Sequence, residues 1–168
     1  LLAGARFPVI MAGGGVLMGD GQRELVALAE HLSAPVIASY LHNDAFPASH
    51  PLACGPIGYQ GAKSAMHVVA QADVVLCLGT RLGPFGTLPQ HGIDYWPKQA
   101  KLIQVDADHR MLGLVKEVAV AVHGDARAAA ADLLSRTKNL EIAAHRTRAE
   151  RLAEVARRKQ EWEAELSG

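Results

Sequence analysis

The chain has 168 residues, 49% of them hydrophobic, with 16 glycines, which bounds it to one domain, or one domain plus an appendage, with a real core and many tight turns. Lysine and arginine balance aspartate and glutamate at 17 each, so there is no basic excess for a nucleic acid or an anionic membrane. No apolar run approaches the ~20 residues that span a bilayer, and two cysteines, Cys54 and Cys77, are too few for a disulfide framework and suit a reducing cytoplasm.

The chain begins on Leu1, close to a strand and with no signal peptide, and reads as a piece of a longer polypeptide. Phe7 to Met11 predicts the first strand and Gly13-Gly14-Gly15 a tight turn. A helix follows Asp20, with Leu25, Leu28, Ala29 and Leu32 on one face. Pro35 ends that helix, and Pro35-Val36-Ile37-Ala38 is the second strand, which completes a right-handed βαβ unit. Ser39 to Gly61 is a Pro-, Gly-, His- and Asn-rich loop with at most a short strand near Leu52-Ala53-Cys54. An ordered loop of that length is more often functional than accidental. Ala65, Val68, Val69 and Ala72 mark a second amphipathic helix.

Three apolar runs then dominate: Val74 to Leu78, Leu102 to Val105, and Val118 to Val122. Runs bounded by turn signals fit strands buried on both faces of a parallel sheet. The predicted fold is α/β, a doubly wound, mostly parallel sheet of five to six strands. Between the runs lie a loop from Thr80 to Gln99 and a short turn near Asp108 to Leu112. After Asp125 comes a helix whose core face is Ala126, Ala129, Ala130, Leu133 and Leu134. Beyond Arg136 glycine disappears until the last residue and charges of both signs crowd in, predicting a long helix from about Leu140 to Leu166 with Leu152, Val155, Ala156 and Leu166 near one stripe. The division is a central domain over 1–137 and a charged linker helix over 138–168.

Parallel sheets place ligands beyond the carboxyl ends of their strands. That edge collects the candidate nucleotide-binding residues Gly13, Gly14, Gly15, Arg81, Asp106, Gly124 and Asp125. The glycines would let a backbone approach a phosphate, or would simply make a tight turn. Arg81 would hold a phosphate or carboxylate, or pair with Asp106 or Asp108. Asp106 would accept from ribose hydroxyls, while Asp108 suits capping of the next turn. Asp125 can cap the following helix. The eight histidines are scattered without metal-ligand spacing, and no Gly-x-Ser-x-Gly elbow appears. No catalytic residue and no metal ligand is assigned.

Pro8-Val9-Ile10 with Gly13-Gly14-Gly15, Pro35-Val36, Gly55 to Gly61, Ala72-Asp73-Val74 through Gly79-Thr80-Arg81, Val105-Asp106-Ala107-Asp108 and Gly124-Asp125 follow one another as in the central domain of thiamine-diphosphate-dependent enzymes of the acetolactate synthase and pyruvate oxidase type. The resemblance covers roughly Phe7 to Leu134. Pro84 to Gln90, His91 to Pro97 and Asp108 to Leu114 further resemble the branch that releases sulfite from sulfoacetaldehyde and passes the acetyl unit to phosphate. The resemblance implies flanking N- and C-terminal domains as partners, a homo-oligomer, and thiamine diphosphate with Mg2+ held by the parent enzyme and not by this segment. Gly19-Asp20-Gly21 matches a metal-site triplet of the family but sits in the first βα turn. Flavin-containing relatives would carry FAD on Gly13 to Gly15, Ser39-Tyr40, Ile57 to Gln60, Gly79 to Gly83, Asp106-Ala107 and Gly124-Asp125, and coenzyme A-using relatives a nucleotide such as ADP. Here the residues after Arg81 are Leu82-Gly83-Pro84, without the polar and acidic groups of the flavin-binding version, which argues against FAD.

Two other readings compete. One is a stand-alone, sirtuin-like nucleotide module, which would need four zinc-binding cysteines. The other is a structural domain without a ligand. The segment beyond about Arg146 is expected to fray in isolation or to pack against a second copy.

Overall fold

The computed structural model describes residues 1–168. The elements are β1 (Pro8–Ala12), α1 (Gly14–Met18), α2 (Gln22–Leu32), β2 (Val36–Ala38), β3 (Ala53–Pro56), α3 (Lys63–Val69), β4 (Val74–Leu78), β5 (Lys101–Asp106), β6 (Val120–His123), α4 (Ala126–Thr137) and α5 (Arg148–Ser167). The six strands form one sheet in the order β3-β2-β1-β4-β5-β6, every neighbouring pair parallel. This is the doubly wound α/β architecture expected from the sequence, with the strand order reversing between β1 and β4.

Alternate side chains of the central strands feed two cores. Ile10, Leu76 and Leu78 point to the side covered by α2 and α4. Val9, Met11, Val75 and Cys77 point to the side covered by α3 and α5. All ten residues of β1 and β4 are buried, which is why their sequences run apolar without alternation. Truncating a leucine in such a strand to alanine costs about 2–5 kcal/mol. Helix α2 stops where Ser33 takes a left-handed conformation, φ 51°, and Pro35 forbids its continuation.

Two expectations are corrected. The run Val118 to Val122 is not a strand buried on both faces. Its ordered part, Val120–His123, is the outer edge of the sheet, and three of its four residues are exposed. The C-terminal helix begins at Arg148 and not near Leu140, after a 3₁₀ turn over Ala143–Thr147. It packs along α3, with Val155 fully buried. Trp162 lies under the Lys63 ammonium, 5.6 Å from the ring centroid, and Lys63 also pairs with Glu165. Ala156 and Leu166 face solvent, so the stripe that holds α5 is shorter than its hydrophobic pattern suggested.

Candidate nucleotide edge

The strand order lays the predicted residues along one edge of the sheet. Gly13 to Gly15 follow β1, Arg81 follows β4, Asp106 ends β5, and Gly124 and Asp125 follow β6. The crevice of a doubly wound fold opens where the order reverses, here between the ends of β1 and β4.

At that point the chain packs on itself. The Gly13 N–H donates to the Leu78 carbonyl at 3.0 Å and the Gly15 N–H to the Gly79 carbonyl at 2.9 Å. A Cβ on Gly13 would strike the Gly79 carbonyl oxygen and Thr80, and a Cβ on Gly15 would lie 2.7 Å from Gly79 Cα. These two glycines are therefore required by backbone-to-backbone contact between the β1 turn and the end of β4. Gly14 is covered differently. His42 Nε2 lies 2.6 Å from where a Gly14 Cβ would be, and its Nδ1 is 3.0 Å from Ser39 Oγ. The imidazole occupies the space over the turn.

Arg81 is exposed and makes no ion pair with Asp106 or Asp108, so the intramolecular pairing expected as one of its two roles is absent. Asp108 is engaged by Arg110, whose Nη2 and Nε lie at 2.7 and 2.9 Å. The Arg110 hydrogen bonds hold the Asp108 carboxyl well below the usual carboxylate range. Asp108 also accepts the Arg110 N–H and so caps the turn at His109–Met111, as its position suggested. Asp106 accepts the Asp108 N–H at 2.8 Å and is half-buried. Asp125 caps α4 through the Ala128 N–H at 2.9 Å, and Gly124 is half-buried beside it.

The loops beyond β2, β3 and β4 meet over the same edge. Tyr59 N–H donates to the Phe85 carbonyl at 2.7 Å, and Gly58, at φ +91°, leaves no room for a Cβ against that carbonyl. Tyr40 stacks on Phe85 with centroids 5.5 Å apart, and Tyr59 stands edge-on to both rings. Leu41, Gln60, Leu82 and His91 all take positive φ in these loops. Left-handed backbone at non-glycine residues costs of order 1–3 kcal/mol each and persists only where surrounding contacts enforce it.

Sequence reading passed over the residue that organises this edge from beneath. Gln104, on β5, is 1% exposed. Its amide donates to the Thr80 carbonyl at 3.1 Å and the Met111 carbonyl at 3.2 Å, and its oxygen accepts the Gly113 N–H at 2.8 Å. A lone polar residue between Ile103 and Val105 in a buried run was the available signal, because a buried amide must be satisfied. The two thiols offer no chemistry here: burial pushes both Cys54 and Cys77 up to about 12. An open groove of about 380 Å³ lined by Trp96, Lys101, Lys116 and Val118 lies at the opposite, amino ends of β5 and β6. No three His, Cys, Asp or Glu side chains are grouped to hold a metal ion, and Asp20 of the Gly19-Asp20-Gly21 triplet is exposed in the turn between α1 and α2. No helix is long and apolar enough to cross a membrane.

The fold and its edge define a recognisable class. Residues 1–133 match the family model of the thiamine pyrophosphate enzyme central domain, and the chain belongs to that family. It is 63% identical over 167 residues to a sulfoacetaldehyde acetyltransferase from Castellaniella defragrans and 53% identical to one from Rhodobacter capsulatus, in each case over 99% of this chain and 28% of the relative. The acetolactate synthase large subunit of Corynebacterium glutamicum is 36% identical over 82% of this chain and 22% of its own length. A protein from Mycobacterium smegmatis described as thiamin diphosphate-dependent superposes with a TM-score of 0.65 at 27% identity, over 80% of this chain and 25% of that one. The chain thus spans little more than a quarter of the length of the relatives it matches. The family match also sets aside the stand-alone sirtuin-like reading.

Proposed function

We propose that this chain is the central, non-catalytic domain of a thiamine-diphosphate-dependent sulfoacetaldehyde acetyltransferase, an enzyme that converts sulfoacetaldehyde and phosphate into acetyl phosphate and sulfite. The observation that carries the reading is the contrast in identity over the same segment: 50–63% to five sulfoacetaldehyde acetyltransferases, including one named as probable, against 35–36% to acetolactate synthase subunits. The substrate-handling groups, thiamine diphosphate and Mg2+ belong to the flanking domains of the parent polypeptide. Thiamine diphosphate supplies the electron sink that a two-carbon acyl transfer needs. In this reading the triplet Gly19-Asp20-Gly21, whose Asp20 is exposed in a turn, is not the parent's metal site. The parent is a cytoplasmic homo-oligomer in this reading.

The nucleotide edge is empty in this proposal. Two amides of the glycine turn are spent on the carbonyls of Leu78 and Gly79, and His42 covers Gly14. Arg81 is left without an acidic partner.

The test is the full-length enzyme encoded with this segment, supplied with sulfoacetaldehyde and phosphate. Release of sulfite together with acetyl phosphate is expected. Acetolactate from pyruvate with no sulfite would overturn the proposal. Calorimetry on the 168-residue chain should register no uptake of thiamine diphosphate, FAD, ADP or coenzyme A. Tight binding of a nucleotide would refute the empty edge alone, and micromolar binding of thiamine diphosphate would refute the division of labour between the domains.

A further inference from the structure

Arg151 is a charged residue 2% exposed to solvent, in the first turn of a helix whose composition reads as a solvated linker. Its guanidinium has no carboxylate in hydrogen-bond reach. Nη1 donates to the carbonyls of Ser33 at 3.0 Å and Ala144 at 3.1 Å. Nη2 donates to the Arg6 carbonyl at 2.6 Å and to Thr147 Oγ1 at 2.8 Å. One face lies over the Phe7 ring, 5.2 Å from its centroid. Asp73, which lies at the same junction, is already committed to the amides of Arg6 and Phe7 at 2.8 and 2.9 Å. The positive charge is therefore held by carbonyl dipoles drawn from three separate stretches of chain.

Those stretches are the segment that enters β1, the left-handed turn that closes α2, and the turn that leads into α5. Further bonds tie the same parts together. The Ala143 N–H donates to the Ala3 carbonyl at 2.8 Å, and His145 Nε2 lies 2.6 Å from the His31 carbonyl. The segment before β1, the end of α2 and the first turn of α5 are thus fastened at one point, with Arg151 at its centre.

We infer that Arg151 is a latch that makes residues 1–7 and helix α5 a single cooperative unit. Both are held or both are released, and β1, the central strand that ends at the glycine turn, continues directly from residues 1–7. A buried arginine can do this where a lysine cannot, because its fork reaches several acceptors at once.

Amide hydrogen exchange on the 168-residue protein tests the inference. Arg151→Met keeps the apolar stem and removes the donors, leaving buried carbonyls unpaired. Exchange should rise about tenfold or more in both 1–7 and 148–160, with β4 and β5 unchanged. Faster exchange in α5 alone, or no change in either, would overturn the latch. Should Arg151→Met fail to fold, Leu2→Ala decides the matter. Leu2 is buried in the core on the α2 and α4 side, whereas Val155 belongs to the other core. Loosening the entry segment there should accelerate exchange at 155–160 by the same factor as at 1–7. If α5 keeps its wild-type protection in Leu2→Ala, the two segments are independent and the inference is wrong.

Discussion

Replacing Gln104 by leucine should destabilise the domain by about 2–6 kcal/mol, because of what the substitution leaves behind rather than what it removes. Leucine nearly matches glutamine in volume, so no cavity forms on β5. Three partners lose their bonds: the Thr80 carbonyl, the Met111 carbonyl and the Gly113 N–H. The Thr80 bond is buried, and an acceptor stranded there costs about 1–3 kcal/mol. The other two bonds are only partly buried, so water recovers them and each contributes roughly 0.5–1.5 kcal/mol. The sum falls short of three full penalties but remains a large fraction of the roughly 5–15 kcal/mol that holds a domain together. Urea unfolding followed by circular dichroism should show a lower midpoint with an unchanged slope, and the melting temperature should fall by about 4–24 °C. Because Gln104 pins Thr80, the second residue after β4, and the turn after β5, exchange should also rise at Gly113 and over 80–83. A variant within ~0.5 kcal/mol of the parent would show that these loops hold themselves and that the buried amide is incidental.

Gly58→Ala should cost about 2 kcal/mol or more, since φ is +91° and the new Cβ would enter the Phe85 carbonyl. Gly83→Ala, with open space and φ −57°, should be neutral or stabilise by about 0.4–1 kcal/mol. Near-ultraviolet circular dichroism of the Tyr40, Tyr59 and Phe85 cluster separates the two, and equal effects would refute the packing argument. Arg81→Ala should leave stability within about 0.5 kcal/mol, as expected of an exposed side chain without a partner, and a larger loss in urea unfolding would mean an unseen ion pair. Burial pushes the Glu154 carboxyl up, but hydrogen bonds from Arg158, Arg157 and Gln71 outweigh it and bring it to about 2 from 4.5. A depressed carboxylate stabilises the fold above its unfolded value and loses that contribution as pH falls through the folded one. The docking of α5, followed by Trp162 fluorescence, should therefore weaken between about pH 4.5 and 2, and Glu154→Gln should flatten the profile in that window. An identical acid profile in the variant would exclude Glu154 as the cause.

The sheet was legible because its central strands are buried on both faces, and the near-continuous apolar runs of β1 and β4 answer that condition. The same rule misread Val118 to Val122. That run is as apolar as β4, yet its outward face meets solvent because it closes the strand order. A strand's rank in a sheet is settled by crossovers elsewhere in the chain, so composition alone could not place it. At the ligand edge the sequence located the turns and the helix cap at Asp125, since these are local geometry. It left open whether the glycines served a phosphate or a close contact. The contact residues Gly79 and Thr80 lie more than sixty positions away from the turn, and the His42 ring arrives from a third loop.

Gln104 and Arg151 fall on opposite sides of this boundary between local and distant information. Gln104 carried a local signal, because an amide inside a buried run needs partners wherever they come from. Arg151 carried none. In a helix dense with Glu and Arg, one more cation reads as solvated, and its burial depends on carbonyls 145 and 118 positions earlier. Such a charge is tolerable only because those carbonyls have been turned away from regular structure. Ser33 is held left-handed at the end of α2, and Arg6 precedes the first strand. The capping chemistry of one helix thus creates the acceptor that fixes another. Helix α5 belongs to the domain because of bonds that its own sequence does not announce.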